Sequence, residues 1–202
     1  MVTWRKLLFH TVAFVFLACG SASITKADPI TFTWSATGSG SLGATPFVNA
    51  SFTITSTADT GAVASVSPGI LNSPNSIATV FVSGIGGSTF TIPTITVSNQ
   101  NVDVVGISAP NQSLAILFIS NNPGLNDYDL MTAIGPLSGN ALFNPGVGFA
   151  TTAGNFSLTN VSSLTFQAAV GVAPVPEPTT MLLLGTGLVG IAAKIRKRRK
   201  AV

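Results

Sequence analysis

The sequence predicts an all-β body, an antiparallel β-sandwich from Asp28 to Ala173, between two short terminal segments of different composition. Three observations lead there. Apolar residues alternate with Ser and Thr at period two over many short runs. Clusters of Gly, Pro, Asn and Ser separate those runs. Period-two patterning outweighs any helical periodicity throughout the region.

In chain order, "ITFTWSAT" places Ile30, Phe32, Trp34 and Ala36 on one face and Thr31, Thr33, Ser35 and Thr37 on the other. This alternation with Phe32 marks Trp34 as core. "SFTITST" sets Phe52 and Ile54 against Ser and Thr in the same way. "SIATVFVSG", "STFTIPTITVS", "VDVVGI", "SLAILFIS", "GNFSLT" and "SSLTFQAAV" read as further strands, some of them continuously apolar. The separators are "TGSGSLGATP", "SPGILNSPNS", "GIGG", "SAPNQ", "NNPGLND" and "NPGVG". About eight to ten short strands of this kind fit two antiparallel sheets that each bury one face. No fixed-period repeat is present, which disfavours a solenoid.

Charge is distributed unevenly. The chain has nine Lys and Arg, six Asp and Glu, one His and one Cys. All nine cations lie near the ends, and between Asp28 and Ala173 the only charges are Asp28, Asp59, Asp103, Asp127 and Asp129. A body without Lys or Arg cannot neutralise phosphates, so nucleic acid is excluded as a partner. With no His, Lys, Cys or Glu, a serine nucleophile has no base and zinc has no nitrogen or sulfur ligand. Asp127 and Asp129 are near neighbours, as the carboxylate pair of a glycosidase must be, but no supporting charged groups accompany them. The reading is a non-enzymatic body without cofactor.

The richest polar cluster is "NNPGLNDYD". Asn126, Asp127 and Asp129 there are candidate oxygen ligands for Ca²⁺, although no EF-hand spacing is present. The alternative is a turn of Asx side chains leading into a strand around "DLMTAI". Tyr128 and Trp34 are the aromatic candidates for stacking on a sugar. Thr-x-Thr pairs at Thr31/Thr33, Thr53/Thr55, Thr89/Thr91 and Thr94/Thr96 resemble the threonine ladders of some bacterial ice-binding proteins, and β-propensity places Thr at such positions in any case. A body without cations also lacks the Lys that blunts exposed strand edges, so edge-to-edge self-association is expected once its carboxylates are neutralised.

Met1 to Ala27 reads as a secretory signal. Arg5 and Lys6 form the basic start, "LLFHTVAFVFLA" the apolar stretch, and Thr25-Lys26-Ala27 a cleavage site before Asp28, the substrate of a signal peptidase. The stretch is about a dozen residues, short for a span of roughly 20. Cys19, within "FLAC", resembles the acylated cysteine of a lipoprotein; otherwise it leaves with the signal, and the mature chain has no thiol.

At the other end, Met181 to Ala193 is uncharged and mostly apolar, and Lys194, Arg196, Lys197, Arg198, Arg199 and Lys200 follow it. From Thr179 to Ile195 a helix spans about 25 Å, short of a hydrocarbon core of roughly 30 Å unless flanking cations snorkel. Pro174, Pro176 and Pro178 stop it from extending backwards. The positive-inside rule keeps the basic cluster cytoplasmic as a stop. Pro176-Glu177-Pro178, the run "LLLGTGLVGIAA" and the basic "KIRKRR", behind a signal peptide, resemble the PEP-CTERM sorting signal of Gram-negative bacteria. The resemblance implies recognition by exosortase, a membrane protease-transpeptidase. It also implies an inner-membrane precursor delivered to the cell surface or extracellular matrix, with exopolysaccharide as a partner. The expected layout is 1–27 signal peptide, 28–173 body and 174–202 sorting signal with transmembrane helix. The expected role is structural or adhesive, with a glycan- or Ca²⁺-binding module as the alternative, and ice binding or a lipoprotein behind that.

Overall fold

Alternation of Ser/Thr with large apolar residues builds eleven antiparallel strands. The computed structural model describes residues 27–110 and 114–171. In chain order the strands are β1 (Pro29–Leu42), β2 (Thr45–Asp59), β3 (Ala64–Ser67), β4 (Ile70–Val82), β5 (Gly86–Thr89), β6 (Ile95–Asn99), β7 (Val104–Ala109), β8 (Leu114–Ser120), β9 (Ile134–Leu142), β10 (Phe149–Thr151) and β11 (Gly154–Val170). Single 3₁₀ turns occupy Thr60–Ala62 and Pro123–Leu125.

The expected sandwich is corrected to a closed barrel. Eight strands follow one another as β1-β2-β4-β6-β7-β8-β9-β11, and β1 also pairs with β11, so the ring closes. Segments that look like separate strands or turns fuse into strands of 13 to 17 residues. The two layers are joined where one strand changes neighbour along its length: β4 pairs with β6 through its first half and β2 through its second, and β9 pairs with β11 and then β8. "GNFSLT" and "SSLTFQAAV" are one strand, β11. "TGSGSLG", expected to be a turn, is largely the second half of β1, and only Gly43 and Ala44 turn the chain. "SPGILNSPNS" is a β3–β4 hairpin running into β4.

Bulges bend the seam so that the sheet can close. The β1–β11 register shifts between Ser35 and Thr37 and again between Ser39 and Gly40. Gly38 is required there, because a Cβ at this position would lie 2.5 Å from the Asn160 carbonyl oxygen and 2.9 Å from the Phe52 ring. A smaller ring branches off along β4, β5, a single Phe90–Thr151 bridge, β10 and β11.

Side chains fill the interior. Phe32, Trp34 and Phe166 form one aromatic group, with Trp34 and Phe166 centroids 5.3 Å apart. Phe47, Phe52, Phe90 and Phe156 form a second, with Phe90 edge-on to Phe156 at 6.1 Å. Each ring removed from water contributes about 1.5–3 kcal/mol, which makes these two groups the main apolar support of the barrel. Hydroxyls face outward on β1 and β2, the reverse of a membrane-spanning barrel with its apolar outer band. Among the described residues no helix is long and apolar enough to cross a membrane, and the expected transmembrane helix lies outside them.

Candidate functional site

The polar cluster "NNPGLNDYD" is the link between β8 and β9, and Asn122 and Asp129 hold it in place. Asn122 accepts from the Gly124 N–H at 2.8 Å and donates its amide to the Ser138 carbonyl, capping the 3₁₀ turn and tying it to β9. One oxygen of Asp129 accepts from the Met131 N–H, the Thr132 N–H and the Thr132 hydroxyl, all at 2.9–3.0 Å. Leu125 and Tyr128 between them, and Leu130 just after, are buried in the core. The strand expected around "DLMTAI" begins only at Ile134, since Asp129 to Thr132 is this turn.

Tyr128 is an anchor. It is only 4 % exposed, its ring meets Phe166 edge-on at 5.9 Å, and its hydroxyl donates to the Thr132 carbonyl at 3.0 Å. The Ser98 hydroxyl and the Gln100 amide both donate to its carbonyl. Burial pushes the phenol well above its ordinary value, and the neighbouring Asp129 charge adds to the rise. A ring held this way offers no face for a sugar. Trp34 is also buried, in the aromatic interior.

The three Ca²⁺ candidates have different surroundings. Asp129 is engaged in its turn, Asp127 is exposed at a left-handed position (φ 58°), and the Asn126 amide, once its oxygen and nitrogen are exchanged, donates to the Asp103 carboxylate of the β6–β7 turn. No group of three His, Cys, Asp or Glu side chains that could hold a metal ion occurs among the described residues. The Thr-x-Thr pairs divide. Thr31/Thr33 and Thr53/Thr55 lie on the outer surface of β1 and β2, with Thr33 opposite Thr55. Thr94 and Thr96 point inward, where Thr96 donates to Asn75 and shares a hydrogen bond with Ser56, and Asn75 donates to Thr94.

Sequence reasoning missed that the two ends of the body meet. The Gly171 N–H donates to the Pro29 carbonyl at 2.7 Å, continuing the β1–β11 seam to its limit. Asp28 is clasped on both sides, its N–H donating to the Thr60 hydroxyl at 3.0 Å and its carbonyl accepting from the Thr60 N–H at 3.1 Å. Asp59 holds this turn by accepting from the Gly61 N–H. Asp28, Asp59, Thr60, Met131 and Val170 line an open cleft of ≈ 620 Å³ beside the junction. The expected cleavage point, Ala27 and Asp28, and Gly171, at the C-terminal limit of the described residues, therefore share one end of the barrel. Only residue pairing across distant positions carries this signal, which the linear pattern does not show.

Pro176, Glu177, Pro178 and the basic residues from Lys194 to Lys200 lie outside the described residues. Residues 174–199 match the family model described as "PEP-CTERM protein-sorting motif". No curated protein and no solved structure significantly matches the chain.

Proposed function

The chain carries a PEP-CTERM protein-sorting motif and is thereby an exported protein with a membrane-anchored precursor processed by exosortase; on that premise we propose that it delivers a non-enzymatic barrel to the cell surface or extracellular matrix as a structural or adhesive component. The single observation that carries this reading is the position of the motif immediately behind the barrel seam. Pro176 lies five positions after Gly171 (176 − 171), so it stays within roughly 17 Å of the barrel end at full extension. The sorting enzyme meets the motif next to a folded end that holds both junctions.

The body supplies no competing chemistry to this role. Asp28 and Asp59 flank the cleft at the seam, Asp103 lies in the β6–β7 turn and Asp127 and Asp129 in the β8–β9 link, and the only buried ionisable side chain among the described residues is the Tyr128 phenol, held neutral as a packing anchor. Removal of the signal by a signal peptidase after Ala27 fits the clasp, because Asp28 is the first of the described residues with hydrogen-bond partners in the fold. Exopolysaccharide is the partner that such a destination implies.

The experiment is Glu177→Ala in cells that contain exosortase. The precursor should accumulate in the inner membrane and the surface fraction should empty. Unchanged delivery in that variant would show that the tail is a plain anchor and that the motif is not read.

A further inference from the structure

We propose that the outer face of β4, β2, β1 and β11 binds a neutral polysaccharide chain, with Phe81 as its stacking platform. The proposal deepens the adhesive reading by naming its surface and ligand. Phe81 is 56 % exposed on the outside of β4. Its neighbour across the β4–β5 pair is Gly87, where even a Cβ would lie 3.7 Å from the ring. The ring thus leans over Gly87, and the rest of it is exposed.

Beside the ring runs a row of polar, uncharged side chains. Thr79 on β4 stands opposite Thr55 on β2, which stands opposite Thr33 on β1, which stands opposite Gln167 on β11. The row covers three strand steps, roughly 14 Å. In the adjacent row Ser35 and Thr53 satisfy each other at 3.4 Å. No such bond ties the hydroxyls of Thr33, Thr55 or Thr79 among the described residues, so they are free to donate and accept.

Charge selects the ligand. From the row of Phe81 to the row of Ile77 no outward position of these four strands carries a charge, and the first carboxylate, Asp59, comes at the very end of β2. An anionic polymer finds no cation here and a cationic one no anion. A neutral sugar chain offers what the face lacks a partner for: C–H faces for the aromatic ring, and hydroxyls for the threonines and the glutamine amide. A rigid lattice such as ice fits less well, because neighbouring strands of a closed barrel are rotated by roughly 20–25° and the hydroxyl rows follow that twist. A flexible chain can follow it too.

The test uses the full chain purified in a non-glycosidic detergent, which makes it independent of sorting. Its mobility is compared in affinity gels containing dextran, a neutral galactomannan or the polyanion alginate. The expected result is retardation by at least one neutral polymer and none by alginate, a loss of affinity of tenfold or more in Phe81→Ala, and retention in Phe81→Trp. Both substitutions are at a surface position and leave the core intact. Equal binding by Phe81→Ala, binding to alginate alone, or no retardation by either neutral polymer would overturn the proposal. So would dimerisation without polymer that Phe81→Ala abolishes, which would assign the face to a second copy. A chain that binds here but is not processed in cells would leave this inference standing and remove the sorting account.

Discussion

Tyr128 is the only tyrosine in the chain, so its ionisation can be read without interference. Its phenol is raised by burial, so the folded state holds the proton more tightly than the unfolded state, whose value is near 10. The sign follows: stability is full below about pH 10 and falls as pH rises beyond it, because the unfolded chain releases the proton first. Absorbance titration should show no phenolate in the native protein at pH 10, with ionisation arriving together with alkaline unfolding. Titration of a folded protein near 10 would contradict the anchor role. Tyr128→Phe should remove that alkaline slope and, through the lost bond to Thr132, cost about 1 kcal/mol at neutral pH. At Asp129 the same logic separates turn from metal. Asp129→Asn keeps an oxygen acceptor and should melt within a few degrees of the parent, whereas Asp129→Ala leaves the Met131 N–H and the Thr132 N–H and hydroxyl without their acceptor and should cost about 1–2 kcal/mol. A Ca²⁺-dependent rise in melting temperature that Asp129→Asn abolishes would favour the calcium reading instead. At this scale the sequence was legible wherever a side chain obeyed its strand's period, as Phe32, Trp34 and Ile54 do. It was not legible at β6, where Thr94 just before the strand and Thr96 and Ser98 within it turn inward and Ile95 and Val97 are left half-buried. Hydroxyl partners on β2 and β4 and the Tyr128 carbonyl make that inversion tolerable, and nothing local in "TITVS" announces them.

Among the elements, β1 and β11 carry the architecture because their pairing closes the ring. Gly38→Val should break the seam, since the Asn160 carbonyl and the Phe52 ring already occupy the space of a Cβ. A loss of about 2–4 kcal/mol is expected, read as a lowered denaturant midpoint, and an unchanged midpoint would show that the bulge is plastic. Strand existence was legible along most of the chain, and strand length was not. Period-two alternation continues through "TGSGSLG" with glycines at the bulge positions, and single-sequence reading takes such glycines for a turn. Sandwich and barrel share the same alternation. The difference is one additional pairing, between the first strand and the last, which no local pattern encodes. That pairing also explains why the two ends of the body coincide. A circular permutant that joins Gly171 to Asp28 through a short linker and opens the turn between β9 and β10 should therefore fold, with the β-rich circular dichroism of the parent. Failure to fold would mean that the seam is not an independent closure.

For the whole molecule, closure alters the expected behaviour in solution. The self-association expected from unguarded edges loses its basis, because among the described residues the closed ring leaves only short edges such as those of β3 and β10. The full chain in detergent is predicted to contain barrels that do not pair with one another at micromolar concentration when the solution is acidified, as light scattering would report. Growth of large assemblies would point to an edge still in use. The sorting motif was legible from its residues, because an ordered tripeptide, apolar run and basic cluster form a linear signal read by an enzyme. The role of the body was not, since a surface such as that around Phe81 is assembled from four strands distant in sequence. The most direct measurement is the intact mass of the protein recovered from the surface fraction of cells with and without exosortase. The account predicts, only where exosortase is present, a surface species that begins at or near Asp28 and lacks the basic residues from Lys194 onward. A surface species that retains the whole tail, or the same truncated species in cells without exosortase, would contradict it.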